Sequence, residues 1–103
     1  MRKTLNILGY TIDTDFSRSS DELGDAVGRC SPDMLYIRIA SDMPYQSKIS
    51  GMVHAIIEVI NSQLQLNLEH ETICRLETSL FQTLTMNGVD LSPLIEGKGA
   101  KHG

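Results

Sequence analysis

Hydrophobic residues recur at two different periods along this chain. From Thr4 to Phe16 they alternate with polar ones, in two runs broken by Gly9-Tyr10. Period-2 patterning on both sides of a glycine predicts a β-hairpin. Residues 17–28 are polar and contain Gly24 and Gly28. They read as a loop, with one helical turn near Asp21–Val27. Ser31-Pro32-Asp33 signals a turn. Met34–Ile39 then reads as a strand, with Leu35, Ile37 and Ile39 on one face. Tyr36 and Arg38 occupy the other face, which is expected to see solvent.

After Asp42 the period changes. Ile49, Met52, Val53, Ile56, Ile57, Ile60 and Leu64 recur at helical spacing, and Pro44 suits a first turn. The predicted helix runs over 45–64. After a short link at 65–68, a second helix carries Ile73, Leu76, Leu80, Phe81 and Leu84 and stops at Asn87-Gly88. The expected fold class is therefore α+β. A small antiparallel sheet, made of the N-terminal hairpin plus one strand, packs on a two-helix antiparallel hairpin. One domain is expected over residues 1–95. The glycine-rich stretch 96–103, which carries His102, reads as a flexible tail.

Charge and composition narrow the functional classes. The chain has 103 residues and a net charge of −4, with no run of Lys or Arg. Binding to nucleic acid or to an anionic membrane by charge neutralisation is disfavoured. No apolar run is long enough to span a membrane. Arg2 and Lys3 are followed by no apolar core of a signal peptide, so a cytoplasmic location is expected. Cys30 and Cys74 are then two reduced thiols. Both read as small buried apolar residues. No Gly-rich phosphate loop, nucleophile elbow or calcium loop is present.

The candidate chemistry lies on the helices. His54 and Glu58 are four apart, so they project from one side of the first helix, one turn apart. Such a pair can ligate a divalent cation, or it can simply hydrogen-bond. If the helices fold back about residues 66–67, His54 faces residue 79 and Glu58 faces residue 75. Glu77 then sits between those levels, on the apolar line Ile73–Leu76–Leu80. A carboxylate there is either a third ligand or snorkels to the edge of the stripe. His70 is the competing third ligand. It is placed level with residue 63, ~7.5 Å along the axis from Glu58, and is expected to reach Glu58 but hardly His54. Cys74 lies close to Glu58, so a thiolate ligand is a further option.

From Asn6 to Leu94 the chain resembles small phage and prophage proteins of the ImmA/IrrE type, the zincin-like minimal metallopeptidases. The resemblance rests on the ordered set Leu35–Ile39, Val53–Asn61, Leu68–Ile73 with Leu76-Glu77, and Leu80–Asn87. It implies a zincin-like fold and a protein of the host bacterial cytoplasm. The family hallmark is HExxH on a helix, where both histidines bind zinc and the glutamate is the general base. Here the stretch reads His54-Ala55-Ile56-Ile57-Glu58. Glu58 stands where the second histidine belongs, a swap that some similar members also carry as HExxE. Ala55 stands where the general base belongs, and alanine accepts no proton. The expectation is a phage-type protein that holds a divalent metal, Zn2+ being the candidate, without efficient peptide hydrolysis. The alternative is a non-enzymatic module that engages a host protein, a peptide or a small ligand, its metal site vestigial.

Overall fold

The computed structural model describes residues 2–23, 28–31 and 35–96, with residues 2 and 29–31 described by their backbone alone. Four strands and two helices follow in order: β1 (Arg2–Ile7), β2 (Tyr10–Asp15), β3 (Gly28–Ser31), β4 (Tyr36–Ile39), α1 (Tyr45–Leu64) and α2 (His70–Met86). Short 3₁₀ turns occupy Asp21–Leu23 and Ser92–Leu94.

β1 and β2 form the expected hairpin, with Ile7 opposite Tyr10. Leu8 and Gly9 both have positive φ, at 53° and 85°. That is the backbone of a type I′ turn, whose twist matches the flanking strands. Leu8 in the turn is exposed, while Ile7 on β1 and Ile12 on β2 enter the core.

The sheet departs from the expected antiparallel one. Its order is β1-β2-β4-β3, and β2 pairs with β4 in parallel. Parallel neighbours need a long crossover. Here residues 16–35 supply it, and within it lies β3, which pairs antiparallel with the outer side of β4. Residues 28–31 therefore form an edge strand where a loop and a turn were expected. Asp13 donates its backbone N–H to the carbonyl of Leu35 at 2.9 Å, which sets the start of the parallel register. The proposed turn residues Pro32 and Asp33, the end of the helical turn at 24–27, and the tail from residue 97 with His102 lie outside the described residues.

α1 lies against the sheet and α2 lies against α1. Ile37 and Ile39 are buried and Tyr36 and Arg38 half-buried, as their alternation requires. The Arg38 guanidinium sits 4.5 Å from the centre of the Tyr36 ring. The boundaries of α1 match the expected 45–64, but its buried face is wider than the stripe. Ala55 and Val59 are buried, Ile56 and Ile60 partly so, and Leu64 is exposed. Gln65, in the left-handed region, ends α1. The N–H of Leu66 then returns to the carbonyl of Asn61 at 3.0 Å, the closure of a Schellman motif. The Asn61 side chain accepts from the N–H of Leu68 at 2.9 Å and so fixes the link between the helices.

α2 is rotated relative to the expected stripe. Leu76 and Leu80 are 39% and 42% exposed, while Ile73 is buried and Phe81 packs on the core. The inward line is thus Ile73, Glu77 and Phe81. Beyond α2 the chain returns to α1 and β1: Ile95 joins the core, and the Lys3 ammonium donates to the carbonyl of Pro93. Among the described residues, no helix is long and apolar enough to cross a membrane.

Candidate metal centre

The rotation of α2 brings polar side chains of both helices together. His54 is half-buried on α1, and each ring nitrogen meets a carboxylate. Nδ1 is 2.8 Å from Oε1 of Glu77, and Nε2 is 2.9 Å from Oε2 of Glu58. The hydroxyl of Ser50, one turn before His54, donates to Oε2 of Glu77. Glu77 is therefore neither snorkelling nor idle. It is held by Ser50 and in turn holds the imidazole. Glu77 lies on the centre of the inward line, which is why a carboxylate occurs among apolar residues there.

His70 corrects the hairpin estimate. Its ring lies 5.2 Å from that of His54, edge to face, and its Nδ1 is 4.0 Å from Oε2 of Glu58. His70 thus reaches Glu58, as expected, and His54 as well, which the level arithmetic along the helices did not allow for. On its other side, Nε2 of His70 meets Sγ of Cys74 at 3.4 Å. Cys74 is half-exposed and in no disulfide, so it is not the buried apolar residue expected of it. The side chain of Cys30 is outside the described residues.

Two candidate ligand sets share His54. Donor atoms of His54, Glu58 and His70 lie within 4.8 Å of one another, and so do those of His54, Cys74 and Glu77. These donors border an open cleft of about 670 Å³. Its α1 wall is built of the small residues Ser47, Gly51 and Ala55, spaced one turn apart, and its sheet wall of Gly28 and Ile39. Ala55 also lines this cleft, where it presents only a methyl group. Serine at 50 is the participant that sequence reasoning missed. Its signal was the same four-residue spacing, one turn before His54.

The chemistry of the donor set fits a borderline cation: imidazole, carboxylate and thiol are the zinc-binding side chains. A histidine that ligates zinc commonly donates its other N–H to a carboxylate, which fixes the ring. Glu77 occupies that place on Nδ1 of His54. This leaves Nε2, Glu58 and His70 as the facing donors. Comparison of the chain with protein families, with curated proteins and with solved structures finds no match.

Proposed function

We propose that this protein is a divalent-metal-binding domain of zincin-like type that lacks peptidase chemistry. The observation that carries the reading is the convergence of His54, Glu58 and His70 within 4.8 Å, with Glu77 bonded to the remaining nitrogen of His54. In this reading His54, Glu58 and His70 hold the ion and Glu77 positions His54. A bound zinc ion would polarise a carbonyl or a water. Peptide hydrolysis also needs a base for that water, and position 55 supplies none. Glu58 and Glu77 are both engaged with His54. The phage-type assignment and the bacterial cytoplasm rest on the resemblance of the ordered segments around this helix.

The test is equilibrium dialysis against zinc, read by elemental analysis. One zinc per chain is expected for the wild type, with none retained by His54→Ala. Absence of zinc from the wild type would overturn the reading. In parallel, unstructured protein substrates with added zinc should stay intact. Chelator-sensitive cleavage by the wild type would contradict the missing base, whereas cleavage by Ala55→Glu alone would identify position 55 as the lesion.

A second reading, a non-enzymatic module that engages a host protein, is favoured by Leu76 and Leu80. They stand one turn apart and exposed on the outer side of α2. It is the reading left if zinc does not bind.

A further inference from the structure

Each helix offers a pair of donors one turn apart. α1 presents His54 and Glu58; α2 presents His70 and Cys74. Resting on the metal reading above, we infer that Cys74 is the fourth ligand, a thiolate, so that the site is closed by four protein side chains instead of keeping a position open for water.

The distances point to this set. Around a tetrahedral zinc ion, with N and O at about 2.0–2.1 Å and S at about 2.3 Å, neighbouring donor atoms stand about 3.3–3.6 Å apart. Here Nε2 of His54 and Oε2 of Glu58 are 2.9 Å apart, Sγ of Cys74 and Nε2 of His70 are 3.4 Å apart, and Oε2 of Glu58 and Nδ1 of His70 are 4.0 Å apart. The first two values, each within one helix, lie near the tetrahedral edge; the third is measured to the opposite ring nitrogen of His70, so that ring must turn before Cys74 and Glu58 face one and the same donor. Two imidazoles on one tetrahedral ion have ring centres about 5 Å apart by the same geometry. The rings of His54 and His70 are 5.2 Å apart. Cys74 belongs to a cluster with His54 as well, within 4.8 Å. Glu77, the third member of that cluster, is held by Ser50 and bonded to Nδ1 of His54. Bringing all four donors onto one point takes a rotation of the His70 and Cys74 side chains, which lie at the open side of the cleft.

Coordination removes the thiol proton outright. The thiolate and the Glu58 carboxylate then balance the charge of a divalent ion. A thiolate favours zinc and cobalt over magnesium and calcium, whose ligands are oxygens. Closed four-ligand sites are structural, whereas catalytic ones leave a coordination position open. Closure of the site and the methyl group of Ala55 both act against hydrolysis.

The test is a titration of the reduced full chain with Co2+, followed by absorption spectroscopy, then competition with zinc. A tetrahedral cobalt spectrum in the visible is expected, with an added thiolate-to-cobalt charge-transfer band in the near ultraviolet. Cys74→Ser should lose the near-ultraviolet band and keep visible bands. Its zinc affinity should fall at least about tenfold, a loss that even outer-shell changes produce. Cys30→Ser, the control for the other thiol, should leave the band intact. Cobalt binding without the charge-transfer band, or a band that survives Cys74→Ser, would overturn the thiolate ligand and leave the metal reading standing. No binding of cobalt or zinc would overturn both.

Discussion

Asp42 shows how one exposed side chain ties two connections together. Its carboxylate accepts the backbone N–H of Ser20 at 2.9 Å and the Ser20 hydroxyl at 3.0 Å. The N–H of Ser41 donates to the carbonyl of Arg18 at 2.8 Å beside it. The segment after β2 is thereby pinned to the link between β4 and α1. The Ser20 backbone bond, then its hydroxyl, hold the Asp42 carboxyl below the usual carboxylate range, with Lys48 adding a smaller attraction. A carboxyl whose pKa is lower in the folded state stabilises that state above its unfolded pKa, about 4. The contribution disappears as pH falls through the folded value. Thermal midpoints of the wild type and Asp42→Asn should therefore differ at neutral pH and converge as pH drops below about 4. A difference that stays constant from neutral pH to strong acid would rule out the Asp42 charge as its source.

Between elements, the decisive close approach is at Gly28 on the edge strand β3. A Cβ built there would lie 2.9 Å from Cδ1 of Ile39 and 3.0 Å from the carbonyl oxygen of Arg38. Ile39 is 1% exposed, so its side chain has little room to give way. Gly28→Ala is expected to cost about 1–3 kcal/mol, the usual range for overpacking. Urea unfolding would show it as a lower midpoint at unchanged slope; an unchanged midpoint would mean the strand shifts freely. This strand was not legible from sequence, because four residues without apolar alternation look like a loop. α1 was legible to its ends, since its stripe is long and Pro44 and Gln65 bound it. The face of α2 was not. Leu76 and Leu80 carry the stronger apolar signal, but packing on α1 selects the line through Ile73, Glu77 and Phe81. That turn of the helix is also what brings His70, Cys74 and Glu77 onto His54. The residue types of the site were readable, and the helix rotation that groups them was not.

At the scale of the whole molecule, sheet, α1 and α2 are stacked, and the two interfaces are unequal. The sheet side of α1 is sealed by Ile12, Ile37, Ile39, Met52 and Val59, each at most 1% exposed. Among the described residues, α2 buries Ile73 alone. Its hold on α1 depends heavily on the polar cluster, so an ion bridging the helices should act mainly there. At a free zinc concentration about a hundred times Kd, binding adds about 2.7 kcal/mol to the stability of the native state. In a domain of about 100 residues each kcal/mol moves the midpoint by ~4–8 °C. Zinc should therefore raise the melting temperature by on the order of ten degrees or more. A chelator should reverse the rise. Amide exchange should slow most in α2, the element with the least apolar anchorage. His54→Ala should remain folded, because His54 lies outside the sealed interface, and should lose both responses to zinc. If zinc moves neither the midpoint nor the exchange of α2, the cluster is a hydrogen-bonded clasp. His54 would then serve by bridging Glu58 and Glu77, and the stability of α2 would rest on that bridge without an ion.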